Sequence, residues 1–302
     1  MNRRHFLTTA AAGSAAAVAP VQASGPFDRK GSRLNVALAA YSFRKFFTHQ
    51  RSGKSSLPED QQITMNDFID FCADHGCAGA ELTSYFFPQD IEAPALIDVR
   101  RHAFLRGIDI AGTAVGNNFT NPPGEERDKQ LAYVNRWIDN AAVLGAPHIR
   151  VFAGKHAKGQ DEEEAWQNVI ETMKIAADYA GKNGVFLGIE NHDSIGDQET
   201  LLRLVKDIDH PWVGVNLDTG NFRTEDPYLD MEKTAPYAVN VQVKVELKRL
   251  GADAHEETDL PRVIEILKAA NYQGYVVLEY EAADDPYKAV PPLLEKFNEL
   301  CA

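Results

Sequence analysis

The chain has 302 residues, 44% hydrophobic and 25% charged, the composition of a soluble globular protein with one large domain or two small ones. Its formal net charge of −13 becomes −15 (−13 − 2) once Arg3 and Arg4 leave with a leader, and a field of that sign repels nucleic acid. Cys72, Cys77 and Cys301 form neither a disulfide framework nor the paired spacing of a zinc site, and read as small buried hydrophobes.

Arg3 and Arg4 precede a mildly apolar Ala-rich stretch that ends in Val21-Gln22-Ala23. This is the pattern of a twin-arginine export signal at 1–23, cleaved near Ala23, with 24–34 as a linker. The apolar stretch is short and weak for a permanent span. The expectation is a protein handed to the twin-arginine machinery and released into the periplasm, with no stable membrane insertion after signal removal.

From residue 35 onward one unit recurs: a short apolar segment, then a longer polar one with helical periodicity. The spacing predicts strands at 35–43, 79–85, 109–116, 147–153, 185–191, 213–218, 240–246 and 275–280. It predicts helices at 64–75, 95–106, 126–144, 162–182, 197–208, 228–235, 260–270 and 286–299. Asp161 caps the acidic run Glu162-Glu163-Glu164, and Gly145 supplies a left-handed stop after Leu144. Eight strand–helix units predict a single-domain α/β fold over 35–302, a (β/α)8 TIM barrel. The alternative is an open doubly wound sheet, but no GxGxxG follows the first strand.

Buried strands rarely carry carboxylates, yet Glu190, Asp218, Glu246 and Glu279 stand at or just past strand ends. Period-two alternation puts Glu190 and His192 on one face and Leu187 and Ile189 on the other. In the same way Asn216 and Asp218 oppose Val215 and Leu217, Gln242 and Lys244 oppose Val241 and Val243, and Glu279 opposes Leu278 and Tyr280. Glu81 and Arg150 join from earlier strands, and Tyr41 and Phe43, in phase with Ala37 and Ala39, offer an aromatic wall to a sugar ring or ordinary core packing. Three carboxylates against Arg150 and Lys244 leave negative charge that a divalent cation neutralises better than protonation. His192 reads as a substrate contact, an acid–base group, a ligand or a partner of a carboxylate. His148, His156 and His255 read as structural or solvated groups at strand edges or in loops.

The ordered motifs GAELT, GIENH, NLDTGN, VQVK and VVLEYE resemble the sugar isomerase/epimerase superfamily with a xylose-isomerase-like barrel. That superfamily includes tagatose 3-epimerase-like enzymes, inosose dehydratases and metal-dependent apurinic endonucleases. The resemblance implies metal ligands at Glu190, Asp218, Gln242 and Glu279. The third is usually histidine, in a strand reading HVK. A glutamine carbonyl there favours Mn²⁺ or Mg²⁺, with Co²⁺ or Zn²⁺ as alternatives. Asn221 stands where epimerases of this group often have histidine, and Glu246 has no ligand counterpart.

The activity implied is metal-dependent isomerisation or epimerisation, with Glu190 and Glu279 moving a proton next to a carbonyl. Tyr41, Phe43, Glu81, Arg150, His192 and Lys244 would bind the substrate. Export and the lack of a Gly-rich phosphate cradle point to a non-phosphorylated sugar or keto-sugar. β-Elimination from a 3-keto-glycoside is the alternative at the same site, a non-catalytic sugar-binding barrel is the rival of another class, and DNA hydrolysis ranks last. Oligomeric state stays open, because an amphipathic barrel helix reads alike against a core or a partner.

Overall fold

The computed structural model describes residues 31–302; the export signal expected at 1–23 and most of the expected linker at 24–34 lie outside the described residues. The strands are β1 (Arg33–Ala39), β2 (Gly79–Thr83), β3 (Asp109–Ala114), β4 (His148–Val151), β5 (Phe186–Glu190), β6 (Val213–Asp218), β7 (Ala238–Val243) and β8 (Gln273–Leu278). Each runs parallel to its neighbours, and the sheet closes on itself where β1 pairs with both β2 and β8. The helices are α1 (Met65–Asp74), α2 (Ala93–Arg106), α3 (Glu125–Leu144), α4 (Glu162–Lys182), α5 (Gln198–Ile208), α6 (Pro227–Thr234), α7 (Leu260–Ala269) and α8 (Pro286–Cys301). The fold is the expected (β/α)8 barrel.

Local chemistry sets the helix ends. Thr64 and Asp67 form a reciprocal capping box at the start of α1. Asp161 accepts from the Glu164 N–H at 2.9 Å at the start of α4, where three glutamates also suit the positive end of the helix dipole. α3 stops at Gly145 with φ of +80°, a conformation that costs glycine nothing. Outward-facing Ile149, Val151, Leu187, Ile189, Val215, Leu217, Val241 and Val243 are fully buried under the helices, each stabilising the barrel by about 1.5–3 kcal/mol. No described helix is long and apolar enough to cross a membrane.

The inward faces are not uniform. Ala37, Ala39, Ala111 and Val277 make a small apolar cluster with Tyr41 and Tyr275, and polar side chains fill the rest of the interior toward the carboxyl ends of the strands. That end, the mouth, is shaped by short additions to the eight units. A 3₁₀ turn, Ala40–Phe43, follows β1, and another, Ser84–Phe86, follows β2. A two-stranded ribbon, His49–Gln50 against Gly53–Lys54, grows from the β1–α1 connection. A second ribbon pairs Glu246 with Glu257 beyond β7, which leaves Glu246 exposed and out of the barrel.

Candidate active site

Beneath the mouth, four side chains close a ring of hydrogen bonds. Glu81 on β2 accepts from Gln242 Nε2 at 2.7 Å and from Asn240 Nδ2 at 3.0 Å. Gln242 Oε1 accepts from Asn216 Nδ2 at 2.6 Å, and Asn216 Oδ1 accepts from Asn240 Nδ2 at 2.8 Å. Every member is essentially solvent-free. Burial pushes the Glu81 carboxyl up to about 7, against the pull of Arg150 and of the two amide donors.

His148 lies beside the ring at the start of β4, with its Nδ1 3.1 Å from the Ala111 carbonyl. Gly112 makes this possible: a Cβ there would fall 1.9 Å from the imidazole. Burial depresses the His148 pKa to about 4 from an ordinary 6.5. An unfolded histidine therefore binds a proton between those values that the folded one refuses. The resulting contribution, about 3 kcal/mol, is present above pH 6.5 and lost as pH falls toward 4. A His148→Gln variant should lose less stability than the parent between pH 7 and pH 4 in urea unfolding; parallel losses would show that His148 does not titrate this way. Glu81 and Asp218 shift in the opposite sense, but they are common to both proteins.

Above the ring, Glu190 ends β5 with both oxygens occupied. Arg150 Nε stands 2.8 Å from Oε2, and Asn221 Nδ2 donates to Oε1 at 2.7 Å. Arg150 also donates to the Val115 carbonyl at 2.7 Å and lies over Phe152, 4.1 Å from the ring centroid. Burial opposes the Arg150 charge, but Glu190, Tyr85 and Glu279 hold its pKa above the arginine norm. Asp218 ends β6. Its Oδ1 accepts the Gly220 N–H at 2.8 Å, and Lys244 Nζ stands 3.0 Å from Oδ2 without an aligned hydrogen bond. The same ammonium is 2.6 Å from Glu281 and donates to Asn221 Oδ1 at 3.4 Å. Glu279, just past β8 and 6% exposed, receives no hydrogen bond or ion pair among the described residues.

Five carboxylates (Glu81, Glu190, Asp218, Glu279, Glu281) thus share two cations. Burial, against Lys244, pushes Asp218 up to about 6 and Glu279 well above the carboxylate norm. Lys244 loses to burial but is held well above its usual value by Asp218, Glu279, Glu281 and Glu190. Carboxylate oxygens and a neutral amide oxygen in surplus negative charge fit a hard divalent cation. Glu279 has free lone pairs for one. No three His, Cys, Asp or Glu side chains are preassembled as a metal cluster among the described residues, and the Gln242 carbonyl is engaged by Asn216.

A family model for the "Xylose isomerase-like TIM barrel" matches residues 69–298, most of the chain. The chain belongs to the xylose isomerase-like TIM barrel family. It is 25% identical over 239 residues to 2-oxo-tetronate isomerase of Pectobacterium atrosepticum, covering 72% of this chain and 89% of that protein. It is 24% identical over 279 residues to inosose dehydratase of Geobacillus thermodenitrificans, covering 80% and 91%. A xylose isomerase-like TIM barrel protein of Mycobacterium smegmatis in complex with magnesium superposes with a TM-score of 0.68 at 18% identity, over 88% of this chain and 96% of that one.

This xylose isomerase-like barrel brings most of the sequence-derived residues together. Glu190, Asp218, Glu279, Arg150 and Lys244 meet at the mouth. Tyr41, half-buried, faces Tyr85 edge-on at 6.5 Å and feels the charges of Glu281 and Glu279. His192 packs at a tilt against Phe152, ring centroids 4.6 Å apart, and lies 3.0 Å from Asp193 at the rim. Two residues are placed elsewhere. Phe43 is 1% exposed behind the barrel, against Phe46, Phe68, Phe71 and Tyr287, because the 3₁₀ turn breaks its phase with Ala37 and Ala39. Glu81 lies fully buried under the mouth with both oxygens committed, so it supports Gln242 and does not face a ligand space. His148 was expected at an edge and is interior. Asn240 was in phase with Gln242, but nothing local marked it as Glu81's partner across the barrel.

Proposed function

We propose that the protein is an exported, metal-dependent isomerase or epimerase that moves a proton next to the carbonyl of a non-phosphorylated sugar or keto-sugar. One observation carries the reading: two mouth carboxylates, Glu190 and Glu279, sit in opposite environments. Glu190 is paired with a guanidinium and accepts from an amide, and the two contacts aim its carboxylate. Glu279 is buried with no hydrogen-bond or ion-pair partner among the described residues, an environment that favours a proton on a carboxyl group. Glu190 thus serves as the base that takes the proton from carbon, and Glu279 as the acid that returns one from the far side of the barrel axis. Lys244 and Arg150 stabilise the oxyanion that develops, and Tyr41 with Phe152 walls the site against water.

Glu190, Asp218, Glu279 and Gln242 would hold Mn²⁺ or Mg²⁺, the last only with a concerted rearrangement of the ring, since its amide is engaged by both Asn216 and Glu81. When bound, such an ion polarises the substrate carbonyl and acidifies the adjacent C–H. The magnesium-bound neighbour supports this assignment, and relatives named as an isomerase and a dehydratase are consistent with chemistry that begins by proton abstraction. The dehydratase also makes β-elimination a second outcome of the same abstraction. Export to the periplasm by the twin-arginine route rests on Arg3, Arg4 and Ala23.

The test is proton NMR in D₂O with the Mg²⁺-loaded protein and a panel of ketoses, keto-sugars and 3-keto-glycosides. Deuterium should enter at the carbon beside the carbonyl, and the product signals separate isomer, epimer and eliminated aglycone. Chelation should stop the exchange, and Mg²⁺ or Mn²⁺ should restore it. A metal-loaded protein that exchanges no substrate would move the reading to sugar binding without turnover.

A further inference from the structure

The mouth carries one cation that this chemistry does not use. Arg51 is at the tip of the ribbon whose Gln50 and Gly53 pair. The ribbon is fixed at its base by the Thr48 N–H donating to the Ile63 carbonyl at 3.0 Å and by Gln50 Nε2 donating to the Phe47 carbonyl at 2.8 Å. The Arg51 guanidinium lies 4.9 Å from the centroid of the Tyr85 ring. Just after β3, a Cβ at Gly116 would fall 2.6 Å from Tyr85 Oη and 2.9 Å from Arg51 Nη2, so both side chains close over a backbone step that a glycine leaves open. Tyr85 in turn lies against buried Arg150, and Tyr133 feels the charges of both arginines. Arg51 is exposed and enters none of the ion pairs among the described residues.

The mouth is therefore polarised. Arg51 sits on the β2–β4 side beside an Arg150 already paired with Glu190, while Asp218, Glu279 and Glu281 gather around Lys244 on the β6–β8 side. An uncharged sugar makes little use of an unpaired guanidinium held over its binding site. A planar guanidinium beside a phenol hydroxyl matches a carboxylate, which takes two parallel N–H donors and one further hydrogen bond. One such cation also matches the single charge of a carboxylate better than the roughly two charges of a phosphate monoester.

We propose that Arg51, steadied by Tyr85 and admitted by Gly116, binds a carboxylate of the substrate, which makes the substrate class a sugar acid or keto-acid. This rests on the proposed active site only for the position of the mouth. Calorimetric binding of gluconate and threonate, of the matching alditols glucitol and threitol, and of glucose 6-phosphate tests it, since none of these needs to react. The aldonates should bind about 10- to 100-fold more tightly than the alditols of equal length. Arg51→Gln should erase that preference while leaving alditol affinity and far-UV circular dichroism unchanged. Gly116→Ala, which displaces both side chains, should weaken aldonate binding as well. Equal affinities, a preference that survives Arg51→Gln, a preference for the phosphate ester, or no binding of either class would overturn the proposal. An Arg51-dependent preference without deuterium exchange would refute the proposed catalysis and leave this inference standing.

Discussion

A Glu279→Gln protein is expected to lose proton exchange by about 10²- to 10⁴-fold, the usual worth of a positioned acid–base group, and to become more stable. The two effects share one cause. Burial, with no hydrogen-bond or ion-pair partner among the described residues, pushes the Glu279 pKa well above the glutamate norm, so an unfolded chain releases this proton at a lower pH than the folded chain does. Above the ordinary glutamate range the carboxyl therefore works against folding, and its cost grows as pH rises. An isosteric amide has nothing to ionise. Urea unfolding at pH 5 and pH 8 should show the variant's advantage widening at the higher pH. A variant that exchanges at the parental rate would remove Glu279 from the chemistry; one that is less stable at both pH values would show that its carboxylate has a partner in solution.

Arg150→Met should act in the reverse direction on stability. Arg150 is almost fully buried, 2.8 Å from Glu190, and it also donates to the Val115 carbonyl. Removing it strands a buried carboxylate, a change that typically costs about 3–5 kcal/mol. Part of the loss should be recovered in the double variant Arg150→Met/Glu190→Gln, because the second change removes the stranded charge. A thermal-melt cycle over the four proteins measures that coupling; losses that simply add would mean that the pair is screened by solvent.

The repeating unit was legible because it depends on local periodicity: all eight strands and all eight helices lie where apolar alternation and capping residues place them. Alternation also sorted Glu190, Asp218, Gln242 and Lys244 to the inner face, since a strand cannot change its period without a bulge. It failed where the strand had already ended. Tyr41 and Phe43 look like two more inward residues of β1, but the backbone turns at Ala40 and sends one ring to the mouth and the other behind the barrel. His148 read as a group at a strand edge, whereas the room that draws it inward is the missing side chain of Gly112 on the neighbouring strand. Glu81 and Asn240 are separated by most of the barrel's sequence, and no local pattern announces which amide a buried carboxylate will choose.

The ring under the mouth has a direction: three amides donate in sequence toward a single all-acceptor carboxylate, and each orientation fixes the next. Its members are consequently not free to drift one at a time. Histidine at position 242, the residue the family resemblance leads one to expect, would return a metal-ligating nitrogen but leave Asn216 without its acceptor and Glu81 short of a donor. A change at position 242 is therefore also a change of partner for Glu81 and for Asn216, and it calls for a compensating change at one of them.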